Sequence, residues 1–177
     1  LHDKIRIKEI KKNKDEVLFT GLFKENINNK TNSVINTLSL LRSQNFLNTS
    51  KKYQITINKR IPVFAGLGGG TGNAVSIIKY FVKSKISLKL IEKFENKIGS
   101  DLRLFFFNHI FQKTLKNVRS FKKKYNFHFL LVYPNVKSST KIIFSKVKNF
   151  NKPLRVDPLK ISSKKKYIKF LINETND

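Results

Sequence analysis

The chain has 177 residues, enough for one ordinary domain or for one domain and part of another. Hydrophobic residues make up 40% and phenylalanine alone contributes 16, which excludes a disordered tail, while the lack of cysteine excludes disulfides and thiolate metal sites. A formal net charge of +26, from 37 Lys and Arg against 11 Asp and Glu, would draw anionic partners, yet the lysines are spread through nearly every segment beside abundant Asn and Ile, the mix that an AT-rich codon bias produces.

No run approaches the roughly 18 consecutive apolar residues of a membrane helix, and Leu1-His2-Asp3-Lys4 lacks a signal-peptide layout. The expectation is a cytoplasmic protein with no membrane partner. Methionine is absent and the first residue is Leu1, so the sequence is expected to begin inside a longer protein.

In chain order, alternation at Ile5 and Ile7, a polar turn over Lys11 to Asp15 and the run Glu16 to Thr20 predict a β-hairpin. A loop from Lys24 to Thr31 precedes a helix capped by Thr31 or Asn32, with an apolar face of Val34, Ile35, Leu38 and Leu41 and an end near Gln44. Alternating Tyr53, Ile55 and Ile57 predict a half-buried strand over Lys51 to Asn58, which delivers the chain to Lys59-Arg60-Ile61-Pro62 and then to five of the seven glycines, all within Gly66 to Gly72.

So many glycines exceed what a turn requires, and each costs conformational entropy on folding. Val75, Ile77, Ile78, Phe81 and Val82 follow at helical spacing, so the glycines lead into a helix N-terminus whose unpaired N–H groups and dipole favour an anion, with phosphate the natural guest. Backbone N–H groups of Leu67 to Gly72 are expected to wrap phosphates, with the helix running from Gly72. Farther on, Ser87 is the expected cap of a helix carrying Leu88, Ile91, Phe94 and Ile98, ended by Gly99. Asp101 then precedes an apolar run, Leu102 to Phe107, and reads either as a capping carboxylate or as a catalytic one.

Lys113 to Tyr125 reads as a strand end and a loop, and Phe127 to Val132 as an apolar strand stopped by Pro134-Asn135. Ser138-Ser139-Thr140 can cap a helix through Ile142, Ile143 and Val147, and Lys164-Lys165-Lys166 reads as a solvated face.

A Walker loop requires Lys after its last glycine, but Asn73 and Ala74 follow Gly72; the dinucleotide pattern meets Thr71 where its third glycine belongs. Gly68-Gly69-Gly70-Thr71-Gly72 resembles the loop of tubulin-like GTPases, with Asn73 and Ala74 departing from that pattern. Pro62-Val63-Phe64-Ala65-Gly66-Leu67-Gly68-Gly69-Gly70-Thr71 instead resembles the phosphate loop of the GHMP kinase superfamily, P-x-x-x-G-L-G-[GS]-[GS]-[ST]. Ile55 to Pro62, Asn32, Ile98-Gly99-Ser100-Asp101 and Val132 to Phe144 resemble further segments of that superfamily. They are similar to the branch acting on a cytidine-diphosphate-linked sugar alcohol of the non-mevalonate isoprenoid pathway.

The resemblance implies an α/β (α+β) fold, a two-layer sandwich of the GHMP type (ribosomal protein S5 domain 2-like). An ATP-binding domain would occupy residues 1–126, and a second, ferredoxin-like domain would begin in 127–177. It implies ATP and Mg²⁺ as cofactors and a small-molecule alcohol as substrate. Asp101 becomes the catalytic base, and Pro62, Val63, Phe64, Ala65, Gly66, Leu67, Gly68, Gly69, Gly70, Thr71 and Gly72 the ATP cradle, with Lys59 and Asn32 beside it. Thr140 and Phe144 would contact the substrate's base. The superfamily's N-terminal lysine-bearing strand and its C-terminal glycine-rich motif have no counterpart here. Leu102-Arg103 replaces the usual V-P, and the stretch Asn108 to Lys116 lacks the usual glycines. A basic nucleic-acid-binding protein and a tubulin-like GTP-binding filament protein remain as alternatives.

Overall fold

The computed structural model describes residues 1–83, 86–107, 109–114, 117–121, 125–134, 136, 140–148 and 156–173. Three strands, β1 (Lys4–Ile10), β2 (Glu16–Thr20) and β3 (Lys52–Asn58), form one sheet in the order β1-β3-β2. β1 runs antiparallel to β3, pairing Ile5 with Ile57 and Ile7 with Ile55, whereas β2 runs parallel to β3, pairing Val17 with Ile55 and Phe19 with Ile57.

The expected hairpin is therefore corrected. The chain does reverse between β1 and β2, but β3 lies between them. β3 carries the fully buried Ile55 and Ile57, while β1 and β2 contribute only half-buried apolar rows. A central position covers the most apolar strand on both edges and leaves the lysine-bearing β1 outermost, where charge discourages further pairing. A clasp holds the arrangement: Arg42 donates two parallel hydrogen bonds of 2.7 Å to Asp15, and Asp15 also accepts from the N–H of Tyr53 at 2.8 Å.

α1 (Ser33–Ser43), α2 (Gly69–Phe81) and α3 (Leu88–Ile98) pack together, and their apolar stripes share one core with the sheet. Val34, Leu38 and Leu41 of α1, Val75, Ile77 and Ile78 of α2, and Ile91 and Phe94 of α3 are buried there with Ile55 and Ile57. Each such side chain contributes about 1.5–3 kcal/mol relative to exposure. α1 starts at the expected Asn32, whose side-chain oxygen accepts from the N–H groups of Val34 and Ile35, and ends at Gln44. α3 starts at Ser87, whose hydroxyl accepts from the N–H of Leu90, and ends at Gly99.

After Gly99 a 3₁₀ helix, Leu102–Phe106, carries the Leu102-Arg103 pair that departs from the superfamily pattern. Leu102 is fully buried. Arg103, with its side chain 9% exposed, makes a two-pronged ion pair to Glu95 of α3, whose side chain is 11% exposed. An arginine can lie at the core boundary here because its fork meets a matching carboxylate.

Farther along, β4 (Ile110–Thr114) and β5 (Asn117–Ser120) form an antiparallel pair with an irregularity between Gln112 and Thr114. The expected strand end is thus one strand of an antiparallel pair, whose second strand stands where the pattern predicts a loop. Residues 108 and 116, which bound the glycine-poor stretch, lie outside the described residues. The expected strand over Phe127 to Val132 is not one: residues 125–134 are irregular and Phe129 is 81% exposed. A strand requires a ladder partner. Here Phe127 instead stacks on Tyr167 of α5 (Lys164–Asn173) at 5.9 Å between ring centres. The expected helix through Ile142 and Ile143 is α4 (Thr140–Lys146), which stops one residue short of Val147, while its expected cap at Ser138 and Ser139 lies outside the described residues. The lysines at 164–166 open α5, a helix absent from the expectations.

Candidate functional site

β3 ends at Asn58, and the chain crosses the end of the sheet before entering α2. Phe64, Gly66 and Gly68 have φ of 59°, 69° and 62°, whereas Ala65 and Leu67 between them do not share that sign. Alternating hand along a backbone turns successive N–H groups toward one side, which is the geometry of an anion-binding concavity. Gly66 meets no atom within 4 Å of an added Cβ, so conformation alone requires glycine there. At Gly68 space matters as well, because a Cβ would lie 2.5 Å from Cζ of Phe105.

The helix begins earlier than expected, at Gly69 rather than Gly72. The N–H of Gly72 donates to the carbonyl of Gly68 at 2.8 Å and is therefore committed to the helix. The first-turn N–H groups of Gly69, Gly70 and Thr71 are the ones that have no acceptor within a helix, by the geometry of its start. Gly70 also abuts α1, since the Ser33 hydroxyl donates to its carbonyl at 3.0 Å.

Asp101 stands beside this helix start. The Thr71 hydroxyl donates to its Oδ1 across 3.1 Å, and its Oδ2 is 3.3 Å from the Cβ position of Gly68. The capping reading of Asp101 fails, because its side chain makes no capping hydrogen bond to the 3₁₀ helix that follows. Gly99 gives the carboxylate room: a Cβ there would meet Asp101 Oδ1 at 2.9 Å. Phe105 packs its ring against both Gly68 and Gly72, and Lys79 of α2 donates to the Phe105 carbonyl at 3.1 Å.

Lys59 is not a solvated neighbour of the loop. Its side chain is 4% exposed and forms an ion pair with Asp3, whose side chain has no exposed surface. Asp3 also accepts from the N–H groups of Arg60 at 2.7 Å and Ile61 at 2.9 Å, and from the side-chain amide of Asn73 at 2.8 Å. Burial alone would raise the Asp3 pKa, but the hydrogen bonds from Lys59, Ile61, Arg60 and Asn73 outweigh it and hold the carboxyl below its ordinary value. Sequence reasoning missed Asp3 because a single acid at the start of a strand carries no local signal.

Asn32 spends its side chain on local structure, capping α1 and donating to the Asn28 carbonyl at 2.9 Å. Phe144 is 61% exposed on α4. Thr140 opens the same helix. A cleft of about 160 Å³ lies between the loop and the segment before α4, lined by Ala65, Leu67, Leu131, Val132, Tyr133, Pro134 and Val136. Among the described residues no helix is long and apolar enough to cross a membrane, and no three His, Cys, Asp or Glu side chains gather as a metal-ligand group.

Residues 32–104 match the family described as GHMP kinases N terminal domain. The chain is 38% identical to the 4-diphosphocytidyl-2-C-methyl-D-erythritol kinase of Pelagibacter ubique (strain HTCC1062), over 98% of this chain and 63% of that protein. It is 33% identical to the kinase of the same name from Sulfurihydrogenibium sp. (strain YO3AOP1), over 68% of this chain and 45% of that one. The corresponding kinase of Buchnera aphidicola subsp. Schizaphis graminum is 35% identical over 66% of this chain and 43% of its own length. The chain thus spans less than two thirds of these relatives. A crystal structure of 4-(cytidine 5'-diphospho)-2C-methyl-D-erythritol kinase overlaps 59% of this chain and 35% of that one, with a TM-score of 0.37 and 19% identity. The glycines from Gly66 to Gly72 lie within residues 32–104, the stretch over which this chain is similar to the GHMP kinases.

Proposed function

We propose that this chain is the part of an ATP-dependent kinase that phosphorylates the 2-hydroxyl of 4-diphosphocytidyl-2-C-methyl-D-erythritol, in the supply of isoprenoid precursors. The observation that carries the reading is the 3.1 Å hydrogen bond between Thr71 and Asp101, which sets a carboxylate against the helix start that follows the glycine loop. A phosphate donor and a proton acceptor have to lie side by side for this reaction. The 38% identity to a kinase of that name, over 98% of this chain, supports the choice of substrate.

Phosphoryl transfer rests mostly on positioning and on charge stabilisation. The N–H groups of Gly69, Gly70 and Thr71, with the loop from Pro62 through Val63, Phe64, Ala65, Gly66, Leu67 and Gly68, would hold the ATP phosphates at the positive end of α2. Asp101 would accept the proton of the substrate hydroxyl as its oxygen bonds to the γ-phosphorus and the bond to the β-phosphate oxygen breaks. The Thr71 hydroxyl is an oxygen donor of the kind Mg²⁺ takes and would be its contact in this site. When bound, Mg²⁺ would neutralise phosphate charge.

Lys59 would act from beneath the loop, and Asn32 by fixing the start of α1 against Gly70 through Ser33. Thr140 and Phe144 would meet the cytosine, Phe144 by stacking its exposed ring. In this reading residues 1–126 form the ATP-binding domain, a two-layer sandwich, and 127–177 begin a second domain. The protein would work in the cytoplasm on a small molecule, without nucleic acid.

Calorimetric titration with ATP, GTP and a mixed-sequence RNA tests the proposal. ATP binding that is stronger than GTP binding supports it. A GTP preference would favour the filament GTPase, and RNA binding that weakens steeply with salt in the absence of ATP binding would favour the nucleic-acid reading.

A further inference from the structure

We infer that Asp3 is a positioning residue for phosphate binding: its buried carboxylate ties the two ends of the glycine loop together and so sets where the N–H groups of Gly69, Gly70 and Thr71 point. The inference rests on reading that loop as the ATP phosphate site. Asp3 lies at the start of β1, and every partner it holds is more than fifty residues away in sequence. Its Oδ1 accepts from the N–H groups of Arg60 and Ile61, immediately before Pro62. Its Oδ2 accepts from Lys59, on the same approach, and from the Asn73 amide in the second turn of α2. One carboxylate thereby fixes the last residues before the loop and the helix after it.

Stability alone is a poor reason for this arrangement. A buried ion pair is often no more stabilising than a well-packed apolar pair of the same volume, whereas an unpaired one is strongly destabilising. What Asp3 adds that an apolar residue cannot is acceptor geometry for two backbone N–H groups and for Asn73. The pair also lies directly under the helix start: Lys59 Nζ is 3.4 Å from the Cβ position of Gly69, which touches Ile61 as well. Lys59 offsets the negative charge of Asp3 close to a site for anions, so the clamp holds the loop without repelling phosphate.

Two variants of the full chain separate positioning from mere stability. Asn73→Ala removes the clamp's hold on α2 and leaves the Asp3–Lys59 pair intact; its thermal midpoint should stay near wild type while the dissociation constant for Mg-ATP rises several-fold. Asp3→Leu/Lys59→Met removes both charges together, so its thermal midpoint should return toward wild type from the low value of Asp3→Leu alone. Its Mg-ATP affinity should nonetheless fall roughly 10- to 100-fold, the usual cost of losing a group that orients a binding site. In turnover assays the Michaelis constant for ATP should rise with little change in kcat. Wild-type ATP affinity in a folded double variant, or in Asn73→Ala, would overturn the inference and leave the loop reading standing. A wild-type chain that does not bind Mg-ATP defeats both.

Discussion

The hydroxyl of Thr71 donates to the carboxylate of Asp101 across 3.1 Å, joining the first turn of α2 to the turn that follows α3. Thirty residues separate the two in sequence. Gly99 and Gly68 keep the space around the carboxylate clear, since a Cβ at either would lie within 3.3 Å of one of its oxygens. Asp101 is thus aimed at the helix start and does not cap the helix it precedes.

Replacing Asp101 with Asn keeps the shape and the contact with Thr71 but removes the proton acceptor. Turnover should fall roughly 10²- to 10⁴-fold, the contribution of a positioned general base. ATP affinity should change little. Steady-state kinetics paired with calorimetry checks both, and wild-type turnover would sink the assignment of Asp101 as base.

Glycine is required at Gly66 and Gly68 for different reasons. Gly66→Ala meets open space and carries only the left-handed backbone cost of roughly 1–2 kcal/mol. Gly68→Ala adds a collision with Phe105 and should be the more destabilising of the two. Phe105→Leu in the Gly68→Ala background should recover part of that difference, as read from urea midpoints.

Asp3 and Asp15 both sit below the ordinary aspartate value of 3.8. For Asp15, as for Asp3, burial alone acts upward; the hydrogen bonds from Arg42 and Tyr53 outweigh it. A carboxylate with a depressed folded-state pKa stabilises the fold fully above its unfolded value, and that stability is lost as pH falls through the folded value. The thermal midpoint should therefore be insensitive to these two groups at neutral pH and drop below about pH 5. Asp15→Asn should be less stable at neutral pH and show a shallower acid limb.

Arg103→Ala leaves Glu95 nearly buried without its two-pronged partner and should cost about 3 kcal/mol. Arg103→Met/Glu95→Leu, which removes both charges, should cost less than either single truncation. Urea unfolding of the three variants tests this.

Much of the scaffold was legible locally. The caps at Asn32 and Ser87, the stop at Gly99 and the alternation of Tyr53, Ile55 and Ile57 depend on neighbours within a turn or a strand, and those elements stand where their patterns put them. The order β1-β3-β2 was not legible, because pairing between strands depends on which row of apolar side chains most requires cover. The run from Phe127 to Val132 has strand composition but no ladder among the described residues, and its Phe127 stacks on a helix instead.

By itself the sequence determined that a glycine-rich loop follows a strand and opens a helix, since backbone freedom and helical periodicity are written residue by residue. It also carried the motif that relates the chain to the GHMP kinases. Only the tertiary structure decided what surrounds that loop: Asp3 from the first strand under its two ends, Phe105 against Gly68 and Gly72, and Asp101 beside Thr71. Those contacts join residues 30 to 70 positions apart, and no local propensity encodes them. They arise when burial of a shared core brings the ends of β1, β3, α2 and α3 together at one edge of the fold.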